Sequence, residues 1–294
     1  MKIKMNTTAE PVRWYDFLFT ALAPVIWGST YIITSELLPS GRPFTAALIR
    51  VLPAGLLLVL LMRQTPLRQH WMRLVILSAL NIGAFQALLF VAAYRLPGGL
   101  AAVLGAIQPL MVMALVWLVD KKSPAHTTLL AAIAGVVGMA LLLVSPQTVF
   151  EPIGIAAALL GAACMAGGVW LTRRWQLGMP VLTLTGWQLL LGGLMLAPLA
   201  WLVDEPLPTL TPTALAAYAY LCIAGALLAY VLWFRGVTRL PVVNVASLGL
   251  LSPLTAVVLG WAVLNQSMSG SALAGVIVVL VSVFAVQWTA ARSR

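Results

Sequence analysis

The sequence predicts an all-α integral membrane protein, with ten transmembrane helices arranged as two inverted five-helix repeats around a central cavity. Three observations carry this. The 294-residue chain is 62% hydrophobic and only 8% charged, whereas a soluble domain carries about a quarter charged residues. Its apolar residues gather into ten runs, most near the ~20 residues a helix needs to cross a bilayer. One segment is also written twice: "RLPGGLAAVLGAIQPL" at 95–110 and "RLPVVNVASLGLLSPL" at 239–254.

The runs fall in order at 17–38, 45–62, 71–93, 98–119, 127–145, 152–172, 182–203, 214–235, 242–264 and 271–290. Residues 1–16 are polar and contain Lys2, Lys4 and Arg13, which reads as a cytoplasmic N-terminal segment. The run that follows is too long for the apolar stretch of a signal peptide, and no small-residue cleavage pattern closes it. It reads as a retained first span. Connections are short and rich in Pro, Gly, Arg, Asp and Ser, with no room for a soluble domain. The organisation expected is therefore a first repeat at 17–145, a second at 152–290 and a cytoplasmic C-terminus at 291–294. Cys164 and Cys222 both sit in apolar runs and read as small core hydrophobes.

Basic residues set the orientation, because short cytoplasmic loops collect Lys and Arg. Fourteen of the seventeen fall on one side of the ten-span map, among them Arg63, Lys121, Arg173 and Arg239. Only Arg42 and Arg95 fall on the other. Both termini are expected in the cytoplasm, in a multi-pass protein of a bacterial inner membrane. The net charge of +10 does not indicate nucleic acid, because the basic residues are scattered singly between apolar runs instead of clustering on a face.

The echo extends beyond the duplicated segment. Trp117 answers Trp261 and Phe90 answers Phe234 at the same offset of 144; Gly135 answers Gly275 at 140. Spans one to five thus recur as six to ten. Five is odd, so the second copy is expected to lie upside down, an arrangement characteristic of secondary transporters with a site near the midplane. Pro109 and Pro253 occupy the centres of spans four and nine. Each removes a helical hydrogen bond and crowds the carbonyl four residues earlier, which belongs to Gly105 and Gly249. A matched pair of kinked helices flanking the site is expected, against the plainer reading of ordinary helix irregularity.

"WGSTYIITSELLP" at 27–39, "ALIRVLPAGLLL" at 47–58 and "PGGLAAVLGAIQPLMVMALVWL" at 97–118 with its echo resemble the drug/metabolite transporter superfamily, EamA type. The likeness covers essentially the whole chain, and the first half is most similar to the pigment-efflux (PecM-like) branch. The resemblance implies ten helices, a cavity lined mainly by spans 1, 3, 4, 6, 8 and 9, and outward movement of metabolites. The chain departs from the family at Asp120-Lys121-Lys122-Ser123, where a Gly-Glu-Arg-like turn is common.

Most tryptophans fall near predicted interfaces, where amphipathic rings are favoured. Trp27 does not: it lies mid-span, and its indole N–H needs a partner there. It reads as a stacking wall for an apolar or aromatic substrate, or else as a large packing residue. The polar residues at similar depth are Ser29 and Thr30 on span one, Asn81 and Gln86 on span three, Gln108 on span four and Ser252 on span nine. Uncharged groups of this kind bond neutral or zwitterionic substrates, and they also glue helices together. Arg50 is the charged candidate, about 7 Å into span two at ~1.5 Å per residue, with Glu36 at a similar depth on span one. They form a structural ion pair, or Arg50 captures a substrate carboxylate.

No carboxylate sits at a span centre and no spacing suggests a metal or cofactor. A phosphate-binding Gly-Lys-Ser/Thr loop is missing too, which disfavours an ATP-driven pump. An intramembrane enzyme would need acid, base or nucleophile clusters at depth, and none is present. The leading expectation is a secondary transporter exporting small amphipathic metabolites, amino-acid-like or aromatic and pigment-like, by alternating access. An importer or facilitator of the same fold is the alternative, and a non-transporting sensor or scaffold the rival of another class. The partners expected are a small-molecule substrate and the lipid bilayer; monomer and homo-oligomer both fit the sequence.

Overall fold

In the computed structural model, residues 13–96, 104–143, 151–264 and 270–292 are described. Among them every regular element is helical. The helices are α1 (Trp14–Leu37), α2 (Pro43–Met62), α3 (71–95), α4 (Gln108–Asp120), α5 (His126–Leu143), α6 (Pro152–Trp175), α7 (Val181–Leu202), α8 (Pro212–Arg239), α9 (Val242–Leu264) and α10 (Gly270–Arg292). Among the described residues seven helices are long and apolar enough to cross a membrane; α4, α5 and α10 offer shorter apolar stretches. Four of the expectations fall partly outside the described residues: most of the N-terminal segment, the start of span four at 98–103, the end of span five at 144–145 and residues 293–294 of the C-terminus.

Helix ends follow the sequence. Pro43, Pro152 and Pro212 open α2, α6 and α8 at positions where a missing N–H costs nothing. Thr211 caps α8 by accepting from Ala214 N at 3.2 Å. Left-handed residues stop α2 at Arg63 and α4 at Lys121. The predicted eighth span stopped at 235, but α8 continues to Arg239 because Arg235 meets a buried partner there instead of water.

Three irregularities shape the interior. α3 and α8 each carry a π turn, at Ala79–Gly83 and Ile223–Leu228. The kinked helices expected at Pro109 and Pro253 are instead interrupted. Residues 104–105 are helical, Ala106 and Ile107 form a turn, and α4 begins with Pro109 in its first turn. In α9 the break falls at Gly249 and Leu250, bridged by Gly249 N to Ala246 O at 3.1 Å and Ser252 N to Gly249 O at 3.1 Å. Breaking the helix spares the clash between each proline ring and the carbonyl a turn earlier.

Packing pairs α2 with α7, α5 with α10, α3 with α6, and α1 with both α8 and α9; α4 lies against α6. Small residues allow the close approaches, as membrane helices require.

Candidate functional site

A cavity of about 820 Å³ lies between the halves. Its walls come from α1, α3, α4, α6, α8 and α9, the six helices that the resemblance implied, joined by Arg50 from α2. It runs from Trp27 and Trp233 in the middle of the molecule to Ser40 in the connection between α1 and α2. Its volume is that of a site for a drug-sized solute.

An aromatic cluster forms the inner wall. Trp27 tilts against Tyr230 with ring centroids 5.0 Å apart and against Trp233 at 5.2 Å, within the range of favourable ring pairs. The π turn in α8 explains how Trp27 is satisfied. Such a turn shifts the backbone ladder by one residue, and the carbonyl of Gly225 faces the interior. Trp27 Nε1 donates to it at 2.9 Å, and Arg50 Nη2 donates to the same oxygen at 3.0 Å. Gln86 is fully buried and donates to Tyr230 Oη at 2.7 Å.

Thr30, Arg50, Gln86, Gln108 and Ser252 also line the cavity, as do all four helix-break residues, Gly105, Pro109, Gly249 and Pro253. The breaks in α4 and α9 face each other: a Cβ added at Gly249 would lie 3.7 Å from Gln108 Oε1. Several polar atoms here have no partner, among them Arg50 Nε, Gln108 Nε2, Trp233 Nε1 and Gln86 Oε1.

Two candidates point elsewhere. Ser29 shares a hydrogen bond with Tyr220 Oη at 2.7 Å and donates to Ile26 O, away from the cavity. It sits one residue, and thus about 100° of helix rotation, from Thr30. Asn81 is buried between α3, α6 and α7, donating to Thr172 Oγ1 at 3.2 Å and Gln188 Oε1 at 2.8 Å. It is interhelical glue. Asn81→Ala is expected to cost about 1 kcal/mol, the usual worth of such a bond in a membrane bundle, read as a lower unfolding temperature in detergent with transport unchanged.

The Glu36–Arg50 ion pair is not formed. Glu36 is exposed and accepts from Ser35 Oγ at 3.1 Å, while Arg50, only 3% exposed, turns inward to Gly225. Tyr230 and Trp233 were not anticipated: Trp233 lay near a predicted interface, yet it is 1% exposed.

Away from the cavity, charges join helix ends. Asp16, 1% exposed at the start of α1, accepts from Arg235 Nη2 at 2.6 Å and lies 3.7 Å from Arg239 Nη1. Asp120, in the turn that departs from the family pattern, accepts from Trp170 Nε1 at 2.8 Å and pairs with Arg174. At the other end, Glu151 pairs with Arg95 at 3.4 Å, and both are substantially exposed.

Residues 14–144 and 152–288 each match the EamA-like transporter family. The chain belongs to that family. It is 45% identical over 282 residues to protein PecM of Dickeya dadantii, covering 95% of this chain and 94% of that one. An uncharacterized transporter of Bacillus subtilis, YwfM, is 26% identical, covering 92% of each chain. A WAT1-related chloroplastic protein of Arabidopsis thaliana is 29% identical over 89% of this chain and 67% of its own. A solved crystal structure superposes with a TM-score of 0.81 over 96% of this chain and all of that one; at 18% identity this is a likeness of fold alone. The EamA-family chain described here is thus a multi-pass membrane transporter of the drug/metabolite superfamily and PecM-like branch. It is not an enzyme, and its partners are a small-molecule substrate and membrane lipid.

Proposed function

We propose that this EamA-family protein exports small amphipathic metabolites across the bacterial inner membrane by alternating access, with ten spans in two inverted repeats and both termini cytoplasmic. The observation that carries the reading is the cavity, lined from Trp27 and Trp233 to Ser40 and Leu264 and placed between two halves whose helix pairings correspond. α1 meets α8 and α9 as α6 meets α3 and α4, while α2 meets α7 and α5 meets α10. The π turns starting at Ala79 and Ile223 share the offset of 144 found in the sequence, and the helix breaks at 106–107 and 249–250 fall within one residue of it. The two separate family matches agree with this duplication.

Alternating access needs an equivalent closure at each end, and the repeat supplies one. Arg95 and Arg239 are equivalent, each followed by Leu-Pro. Each meets an acid at the start of the other half's first helix, Glu151 and Asp16 respectively. Asp16 is buried and is held by a second arginine, Arg235 at 2.6 Å, whereas Glu151 is 30% exposed and meets Arg95 alone among the ion pairs of the described residues. With the basic-residue side in the cytoplasm, the conformation described belongs, on this reading, to the outward-open side of the cycle.

Extracellular metabolites from cells expressing wild type, Trp27→Ala or no transporter test the reading. Compounds enriched outside only wild-type cells support export. Trp27→Ala is expected to lower that export about tenfold or more, since ~1.4 kcal/mol of lost ring contact already gives that factor, with folded protein in the membrane close to wild type. Enrichment inside the cells would make the protein an importer. No difference in either direction, with both proteins in the membrane, would favour a non-transporting sensor.

A further inference from the structure

The cavity's chemistry is lopsided. Among the described lining residues there is one charged side chain, Arg50, and no carboxylate. Arg50 is 3% exposed, yet a single hydrogen bond engages it, to the Gly225 carbonyl. Its Nε has no partner, and neither has Trp233 Nε1. Guanidinium and indole nitrogens only donate, whatever the surrounding network. Burying a guanidinium without a counter-charge is costly, and a neutral carbonyl offsets only part of that cost. No described side chain of the lining supplies that counter-charge.

The donors lie beside a wall of aromatic rings. The rings of Tyr230 and Trp233 lie 5.0 and 5.2 Å from that of Trp27, and Tyr31, Phe85 and Phe90 continue the lining. Resting on the reading of this cavity as the transport site, we propose that the solute carried is a planar aromatic carboxylate, its ring on the Trp27–Tyr230–Trp233 wall and its carboxylate on Arg50 and Trp233. A carboxylate accepts up to four hydrogen bonds and suits a guanidinium fork. An organic cation of the same shape would face the buried charge of Arg50 with nothing to offset it. A role for Arg50 limited to bracing the π turn needs no free Nε and no acid-free cavity around it.

The test uses purified full-length protein in lipid nanodiscs and three probes sharing one ring: 2-naphthoate, 2-naphthamide and 2-naphthylmethylammonium. Titration calorimetry, corrected with empty nanodiscs, is expected to show naphthoate binding about tenfold or more tighter than the amide, the size of a charge-assisted bond in a protected site. The ammonium is expected not to bind. Arg50→Gln should bring acid and amide to equal affinity. Trp233→Phe, which keeps the ring and removes the donor, should weaken the acid more than the amide. Equal wild-type affinity for acid and amide, preference for the ammonium, or an acid preference surviving in Arg50→Gln would overturn the assignment. If Arg50→Gln does not fold, the wild-type order and Trp233→Phe decide it. A protein that exports metabolites yet prefers the ammonium loses only this substrate class. One that binds naphthoate yet moves no metabolite loses only the transporter reading.

Discussion

Gly55→Ala is expected to destabilise the folded protein by about 3 kcal/mol, the upper end of what overpacking a tight interface costs. Gly55 sits where α2 presses on α7, the most extensive helix pairing among the described residues. A Cβ there would come within 2.7 Å of Leu189 C and Leu190 Cα, and closer still to Leu190 N. These are backbone atoms inside a helix, so no rotamer change relieves the overlap and the two axes must separate. The pairing joins the halves, so its loss reaches every contact that depends on their register. Gly167→Ala is the matched control: it makes the same change in helix propensity in α6, but nothing lies within 4 Å of the added methyl. Thermal unfolding followed by size-exclusion in detergent should show a large drop for Gly55→Ala and none for Gly167→Ala. Equal behaviour of the two would mean that α2 and α7 do not hold the fold together.

Hydropathy places helices because each must bury its backbone polar groups in its own hydrogen bonds; the observed bounds of α1 to α3 and α6 to α9 lie within a few residues of the predicted spans. The duplicated segment likewise marked both helix breaks through their Gly and Pro residues. Depth is legible in a sequence, but azimuth is not. Thr30 and Ser29 share a depth and face different neighbours. Asn81 and Gln86 both lie within α3, yet only Gln86 reaches the cavity, with the π turn at Ala79–Gly83 resetting the face between them. The partner of Arg50 was hidden for the same reason. The Gly225 carbonyl is available because of a π turn that leaves no residue signature, so Glu36 looked like the only candidate. Asp16 was read as part of a solvated terminus because it stands at the edge of an apolar run. Its burial depends on α8 carrying Arg235 and Arg239 alongside, which is a property of the packing.

Asp16→Asn is expected to weaken the outward-open state. Asn keeps the shape and an oxygen for the backbone N–H of Arg13, which donates to Asp16 at 3.1 Å, but it removes the carboxylate that Arg235 meets at 2.6 Å. Breaking a buried ion pair from one side costs about 3–5 kcal/mol. Arg235 is a quarter exposed, so screening reduces this to about 1.4 kcal/mol, a tenfold change in the ratio of open states. Glu151→Gln should act with the opposite sign, because its pair with Arg95 would close the outer end and is weak in the present state. Both are read on one reporter, Thr34→Cys in the cavity wall, with Cys164→Ala and Cys222→Ala removing the native thiols. A membrane-impermeant maleimide added outside intact cells should label the reporter more slowly with Asp16→Asn, and at the same rate or faster with Glu151→Gln. Equivalent positions with opposite effects are what a two-fold related pair of closures demands, since each stabilises the state that opens the other end. If both substitutions slow labelling, or neither changes it, the acids only fasten helix ends, and the exchange between inward and outward openings must be driven from elsewhere in the bundle.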